Sequence, residues 1–362
     1  MKNYNTAVVI GRFSGVVHKG HAELFKAAAK MADNLIVVVG SSFKARDFKN
    51  PMTFDERREM IAIQLDALGI ENHSIYGVPD YLYDDDAWVS EVTSVIENDK
   101  LVDSSYARKI ADSNVMVRDT VLVGCHKDNS SWYLDRFPQY DYVEVPVTKT
   151  DGKELNATDI RHMIYTEENL YTAKDFIHHE VMNYIHTWMD SNACMDMTKS
   201  YLMNIDYAKP YVNLPYKPTF VTTDAVVFCK SHVLVVFRKA HPGKGLAALP
   251  GGFLNTNERI RDGIIRELIE ETRIKVPMND LIISKTKEFD HPNRSLRYGR
   301  TITHAGFINL KYSGIGLPKV RGSDDAEHAR WIPLTMLDRM SDKFFEDHFS
   351  IIKFFQFRQE QM

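Results

Sequence analysis

Cysteine is scarce in this chain: three in 362 residues, Cys125, Cys194 and Cys229, with no C-x-x-C pair. That excludes a disulfide framework and a thiolate zinc site, and it suits a reducing compartment. Long apolar runs are missing as well. No stretch approaches the ~20 residues that span a bilayer, and the opening MKNYNTAVVIGRF lacks the apolar core and small-residue cleavage site of a secretory leader. A soluble cytoplasmic protein without a membrane partner is expected. Nor is there an excess of positive charge: 45 Lys and Arg stand against 49 Asp and Glu, a formal net charge of −4. The basic residues are not gathered with aromatics, which argues against nucleic acid as a partner, so any phosphate recognition must be local. Low-complexity tracts and short repeats are lacking too.

What is present is length enough for two cores. Short apolar runs alternate with helical patterns in the first half: Ala7 to Ile10, Ala22 to Ala32, Leu35 to Val39, Val121 to Val123 and Tyr142 to Val145. Such βαβ order predicts an α/β fold with a parallel sheet. A helical stretch from Ala173 to Met189 closes this half, giving a first domain over residues 1–190. Pro210, Pro215 and Pro218 mark residues 191–214 as an irregular linker. In the second domain, residues 215–362, Ala225 to Phe228 and Val233 to Phe237 read as paired strands and Thr301 to Leu310 as another. The mixed order suits an α+β sandwich, with a terminal helix from Asp338.

The segment GGFLNTNERIRDGIIRELIEETRI, Gly251 to Ile274, places Glu267, Glu270 and Glu271 three and four residues apart. On a helix they share one face within an arc of about 100°. Carboxylates this close repel unless a cation sits among them, and hard oxygen ligands favour magnesium or manganese, which in turn binds phosphates. A glutamate-rich helix is more often a solvated face. Gly251 and Gly252 suit a tight turn, Asn255, Thr256 or Asn257 a helix cap, and Ile264, Ile265 and Leu268 a buried side.

A second phosphate-binding pattern lies at the other end. Strand VVIG, Val8 to Gly11, runs into RFSGVVHKGHAELFKAAAK, where His18 and His21 flank a helix start. Backbone N–H groups and the helix dipole favour an anion there, and two imidazoles add donors. Capping, core packing or metal binding are the other fates of two histidines so spaced.

The pattern G-x5-E-x7-R-E-x-x-E-E from Gly252 to Glu271 resembles the Nudix box of hydrolases that split nucleoside diphosphates. Arg273 stands where that family has glycine, which implies a different exit from the helix. HKGH resembles the H-x-G-H signature of nucleotidyltransferases, and NATDIRHM supplies the Thr158 and Arg161 of their late motif. With KNPMTFDERREMI, VPDYLYDDDAWVSEV and VGCHKDNSSWYLDRFP, the chain resembles archaeal-type nicotinamide mononucleotide adenylyltransferases, in the bacterial form that carries a C-terminal Nudix domain. It departs in GRFSGVVHKGH, with Gly15 in place of proline and one extra residue before His18.

The resemblance implies a Rossmann-like nucleotidyltransferase domain followed by an α+β Nudix sandwich. It also implies two activities: adenylyl transfer from ATP to nicotinamide mononucleotide, giving NAD and pyrophosphate, and hydrolysis of ADP-ribose to AMP and ribose 5-phosphate. His18, His21 and Arg161 would act at the first site, with Gly11, Arg12, Phe13, Lys127, Asp128 and Thr158 against substrate. Asp80 and Arg57 are weaker candidates. Trp88 would stack on nicotinamide, or simply pack in the core. Glu267 and Glu271 would act at the second site, where Gly252, Glu267, Glu270 and Glu271 hold Mg2+ or Mn2+. Arg294, Arg297 and Arg300 would reach phosphate or ribose there, and Glu327 is a candidate base. A homo-oligomer is compatible with all of this. The alternative is a transferase for nicotinate mononucleotide or another phosphorylated acceptor, with the Nudix domain as a nucleotide-sensing module.

Overall fold

A computed structural model describes residues 2–102, 118–126, 129–147, 157–166, 170–292, 294 and 299–360. Lys127, Asp128 and Arg297 lie outside the described residues. The chain divides into two compact units, Met1–Phe43 with Lys49–Thr198, and Lys44–Phe48 with Lys199–Met362.

The first unit is a parallel sheet of β1 (Tyr4–Gly11), β2 (Ala32–Val39), β3 (His73–Gly77), β4 (Arg118–Gly124) and β5 (Asp141–Glu144), in the order β3-β2-β1-β4-β5. Helices α1 (Lys19–Met31), α2 (Phe54–Ala67) and α3 (Asp85–Val102) follow the first three strands. Strand order reverses between β1 and β4, and in a doubly wound sheet the crevice outside the carboxyl ends of those strands is where ligands bind. Alternation along the strands explains the burial. Val8, Ile10, Ile36, Val38 and Leu122 form one core with Val92 and Ile96 of α3, while Ala7, Val9, Val37 and Val39, buried too, face the opposite side. Strand β3, which carries no fully buried residue, has no strong apolar run in the sequence to announce it.

Helix α4 (Ala157–Thr166) precedes α5 (His179–Met189), so the expected helix from Ala173 is shorter; Leu170–Ala173 is a 3-10 turn. The segment expected as irregular linker is instead largely α6 (Asn192–Ala208). Its prolines all follow Ala208, so they end the helix rather than prevent it.

The second unit is a mixed sheet in the order β10-β11-β6-β7-β12, with β8 on β7 and β9 on β6. Its strands are β6 (Thr219–Cys229), β7 (His232–Arg238), β8 (Ala247–Ala248), β9 (Gly251–Phe253), β10 (Lys285–Phe289), β11 (Arg300–Asn309) and β12 (Ala326–Pro333). Strands β6 and β11 are parallel; the other pairs are antiparallel. Helix α7 (Ile260–Thr272) lays Ile264 and Leu268 on this sheet beside Ala225, Val227, Leu234 and Ile308. Gly306 of β11 makes the approach feasible, since a Cβ there would lie 2.7 Å from the Ile264 side chain. The terminal helix α8 spans only His348–Glu360, with 3-10 turns over Leu334–Arg339 and Ser341–Lys343 before it. Among the described residues no helix is long and apolar enough to cross a membrane.

Candidate active sites

At the exit of β1 the loop Arg12 to Val17 turns through two left-handed residues, Phe13 (φ 47°) and Gly15 (φ 99°), and enters α1 at His18. This is where the motif departs from its relatives. Val16 and Val17 are fully buried, so the loop is packed, not slack. His18 is the N-cap: its Nδ1 accepts the Gly20 N–H at 3.1 Å, while its own N–H donates to His21 Nδ1 at 3.3 Å. A neutral ring that accepts at Nδ1 carries its proton on Nε2. Both imidazoles, 4.0 Å apart between centroids, are thereby set as Nε2–H donors at a helix N-terminus, whose dipole also favours an anion. Capping and phosphate binding are therefore compatible roles. Phe13 packs on His21 at 4.9 Å and on Phe25 at 5.7 Å, holding the pair from below, and Gly11 leaves room for the Phe13 ring.

Thr158 and Arg161 sit in the first two turns of α4, and Arg161 reaches back to this loop. Its Nη1 donates to Ser14 O at 2.6 Å and its Nη2 to Thr158 Oγ1 at 3.1 Å. A Cβ at Gly15 would lie 2.7 Å from Arg161 Cγ, so the glycine is what lets the arginine lie across the loop. The two motifs, ~140 residues apart in sequence, thus meet. Arg12 is exposed. Its carbonyl accepts from Arg57 Nη1 at 2.7 Å, and the same guanidinium, 1% exposed, donates to Gly40 O, Ser41 O and Thr53 O. Arg57 ties the ends of β1 and β2 to the start of α2, a structural use of its charge. Asp80 accepts from Ser41 Oγ at 2.9 Å.

Trp88, on the first turn of α3, is half-buried among Trp132 (6.2 Å), Tyr133 (5.8 Å) and Phe137 (6.0 Å). Trp132 is exposed and Tyr133 donates to Ile10 O at 3.0 Å. Burial pushes the Tyr133 phenol up to about 12. The sequence singled out Trp88 alone; the S-S-W-Y-L segment beside Asp128 carried the other rings unremarked.

In the second unit Glu267 and Glu271 of α7 face Gly251 and Gly252, which lie in strand β9 paired with β6 and not in the tight turn expected from the sequence. Glu271 is buried and accepts the Gly251 N–H at 3.0 Å. Burial raises its pKa to about 8, with Glu267 and Asp224 pushing the same way against the pull of Gly251 N–H and Arg238. Glu267 is raised by burial too, opposed by Arg266. A Cβ on Gly252 would lie 2.6 Å from Glu267 Oε1, so only glycine lets this carboxylate rest on the strand. Arg266 bridges Glu258 (2.8 and 2.9 Å), Glu267 (2.7 Å) and Glu270 (2.9 Å) and donates to Phe253 O at 3.1 Å. Glu258 is held below the ordinary range, chiefly by the Arg266 hydrogen bond.

Among the described residues no three His, Cys, Asp or Glu side chains already converge as a metal cage. The donor chemistry fits a hard divalent ion all the same. Two adjoining carboxyls whose burial favours the proton are groups for which a cation can substitute. Helix α7 starts after Arg259 with no side-chain cap, later than Asn255, Thr256 or Asn257 would give, because Glu258 folds back onto Asn255 N–H at 3.2 Å. Arg273 does not change the helix exit: it adopts the left-handed conformation itself (φ 43°, ψ 38°). Its Nε donates to Ser323 Oγ at 2.8 Å, and the Glu271 and Thr272 carbonyls accept from Ser323 and Arg321.

Two arginines expected at substrate have protein partners. Arg294 is buried, with Nε 2.8 Å from both Asp347 oxygens and Nη2 3.9 Å from Asp224. Its Nη1, also buried, has no hydrogen-bond partner among the described residues. Arg300 is exposed and donates to Asp290 O and Oδ2 at 3.0 and 3.1 Å. Glu327 is exposed beside His328. Asp224, which accepts from Thr303 Oγ1 and bears on both glutamates, went unnoticed in the sequence because its neighbours come from distant strands.

A helix start bearing two poised imidazoles at the switch point of a doubly wound sheet, and a glutamate-rich helix against a glycine-bearing strand of a mixed sheet, are the marks of a two-site enzyme of nucleotide diphosphate chemistry. The cytidylyltransferase-like family matches residues 8–76 and the NUDIX domain family residues 218–355. A bifunctional NMN adenylyltransferase/ADP ribose pyrophosphatase from Francisella tularensis, solved with AMP and a Mn ion, is 34% identical, covers 98% of this chain and 99% of its own, and superposes with a TM-score of 0.82. The nicotinamide/nicotinic acid mononucleotide adenylyltransferase of Acinetobacter baylyi is 26% identical over 56% of this chain and 95% of its own. The ADP-ribose pyrophosphatase of Methanocaldococcus jannaschii is 29% identical over 37% of this chain and 70% of its own. The chain belongs to the family of bifunctional NMN adenylyltransferase/ADP-ribose pyrophosphatases.

Proposed function

We propose that the first unit joins nicotinamide mononucleotide to the adenylyl group of ATP and the second hydrolyses ADP-ribose. The observation that carries this reading is that one relative matches essentially the whole chain, while both motif sets stand at sites able to bind phosphate.

In the transfer, a phosphate oxygen of nicotinamide mononucleotide bonds to the α-phosphorus of ATP as the bond to the β-phosphate breaks, and pyrophosphate leaves. The nucleophile is already anionic, so alignment and charge stabilisation carry the rate. His18 and His21 donate from Nε2 to the ATP phosphates at the start of α1. Arg161 fixes the loop through Ser14 O and adds a cation beside Thr158. Gly11, Arg12 and Phe13 shape the floor, and Lys127 and Asp128 remain candidates by motif. Trp88 offers an aromatic face to nicotinamide. The Acinetobacter relative is named for both mononucleotides, so nicotinate mononucleotide is the second acceptor to test.

In the hydrolysis, a water oxygen attacks one phosphorus of the diphosphate, the bridging P–O bond breaks, and AMP and ribose 5-phosphate leave. Glu267, Glu270 and Glu271, with Gly252 of β9, would hold magnesium or manganese, which when bound neutralises the diphosphate and activates water. Arg266 orients Glu267 and Glu270, and Gly251 N–H fixes Glu271. Chromatography of products from ATP, nicotinamide mononucleotide and magnesium, then from ADP-ribose and magnesium, tests both halves. NAD with pyrophosphate, then AMP with ribose 5-phosphate, are expected; absence of either pair refutes that half.

A further inference from the structure

Strand β8 pairs with β7 and strand β9 with β6, so between Ala248 and Gly251 the chain leaves one strand for another. A backbone in such a crossing loses its ladder partners, and Leu249, 1% exposed, carries an N–H that needs one. The partner comes from 99 residues on: His348, at the first position of α8, accepts the Leu249 N–H on Nδ1 at 2.8 Å in a buried bond. The corner that leads into α8 adds two more ties to the same segment. Phe345 N–H donates to Ala247 O at 2.8 Å, beside a parallel bridge between Phe344 and Ala247. Asp347 accepts from Arg294 Nε at 2.8 Å on both oxygens, Arg294 Nη2 lies 3.9 Å from Asp224, and Asp224 packs on Gly251 closely enough to leave no room for a Cβ there. Ala247, Leu249 and Gly251 are thus each held from residues 344–348, the last of them through a buried chain of charges.

The acid site begins where that segment ends. Gly251 N–H donates to Glu271 at 3.0 Å, and Gly252 is the glycine on which Glu267 rests. Only Pro250 stands between Leu249 and Gly251. Its ring locks φ and its carbonyl accepts from Ala225 N–H at 2.8 Å, so the link has little freedom to absorb a displacement. A shift of Leu249 is passed on to the amide that holds Glu271. We propose that the corner at residues 344–348 is a positioning clamp for the acid site, with His348 as the residue through which it acts: by fixing Leu249 it sets where the Glu271 carboxylate stands to take a divalent cation. The proposal rests on the reading of the second unit as a metal-dependent hydrolase, and gives a role there to a part of the chain that supplies no group to the reaction.

Linkage makes the clamp testable in the native protein, because a corner that positions the cation site must itself be tightened by the cation. Amide exchange followed by NMR on the full chain, with and without magnesium, should show Leu249 and Phe345 protected together with Gly251. Protection of Gly251 alone overturns the proposal. Two variants sharpen it: His348→Leu removes the acceptor, whereas His348→Asn keeps one, its Oδ1 standing at the reach of Nδ1. Mn2+ is titrated against the EPR signal of the free ion. Its dissociation constant should rise about tenfold in His348→Leu, the lower end for loss of an outer-shell partner, and stay within about twofold of native in His348→Asn. The magnesium half-saturation of hydrolysis should follow the same order, with KM for ADP-ribose at saturating magnesium unchanged. A residue serving the core alone would lower Tm and leave the ion affinity of the folded protein untouched, and that outcome in His348→Leu overturns the proposal, as does equal weakening in both variants. Near-UV circular dichroism reports that each variant is folded; should His348→Leu fail to fold, the exchange experiment on native protein decides alone. If native protein binds Mn2+ and shows the joint protection yet splits no ADP-ribose, the functional reading fails and the clamp stands.

Discussion

On the proposed reading the two units would handle phosphate by opposite means, the donors and acids of the two sites being the candidates for it. The first meets it with donors prepared by neutral groups: imidazoles poised by backbone capping, a helix start, and a guanidinium laid across a loop. The second meets it with acids that must first be reconciled with one another. Burial and mutual repulsion lift Glu271 to about 8 and raise Glu267, while Arg266 holds Glu258, Glu267 and Glu270. A site built of donors is ready for its anion. On the same reading a site built of acids would take a cation, which would relieve the repulsion between its buried carboxyls.

That contrast is broken most severely by removing one member of each set. Glu271→Gln should lower ADP-ribose hydrolysis by roughly a thousandfold or more, as loss of a ligand to a catalytic ion does, and leave NAD synthesis near the native rate. His21→Ala should do the reverse, with a loss of about a hundredfold in transfer, in line with removal of one pre-organised donor. Coupled pyrophosphate and phosphate assays on one preparation read both. If native protein makes NAD but splits no diphosphate, the second unit is a nucleotide-sensing module.

Next in size is Arg57. Its replacement by Met strips donors from the carbonyls of Arg12, Gly40, Ser41 and Thr53, those of Gly40 and Ser41 in buried bonds, and should cost about 3 kcal/mol. Denaturant unfolding should show the loss, with diphosphate hydrolysis persisting beyond it.

The strain in the acid site gives a pH signature. A carboxyl raised to about 8 in the fold and ordinary when unfolded binds more protons folded between those values. Stability of the metal-free protein therefore falls as pH rises from about 4.5 to about 8, and the full cost is felt above that. Magnesium should flatten the dependence of Tm, and Glu271→Gln should remove it while raising Tm at pH 8 in the absence of metal. A Tm that climbs with pH across this window sinks the assignment.

The smallest effect concerns Arg273. A non-glycine residue in the left-handed region costs about 1 kcal/mol, so Arg273→Gly should raise the midpoint by a few degrees at most, less what the Ser323 hydrogen bond contributes. Hydrolysis should be unchanged.

Much of this architecture was legible because the signals were local. HKGH and its spacing place two histidines on one helix start, and ELIEE places its carboxylates on one face, whatever the rest of the chain does. The parallel sheet followed from apolar runs alternating with helical patterns. What escaped was decided at long range. Arg294 reads as a cation for substrate phosphate or ribose, and its buried pairing with Asp347, 53 residues on, could not be seen locally. Helix α6 was hidden because its buried positions include Cys194, Met197, Ser200 and Ala208, a stripe too small and polar to show the helical period, with prolines just beyond its end. Arg273 misled by its identity: glycine is preferred in the left-handed region, but the carbonyls waiting for Arg321 and Ser323 impose the conformation on whatever residue stands there.

The guanidinium of Arg57 has one further consequence. Carbonyls from the ends of two strands and from the cap of the next helix share a single donor group, so none of these segments can lift away without unseating the others. The rim of the nucleotide crevice is thereby one cooperative opening unit, and its amides should exchange with solvent together, on the timescale set by the slowest of them.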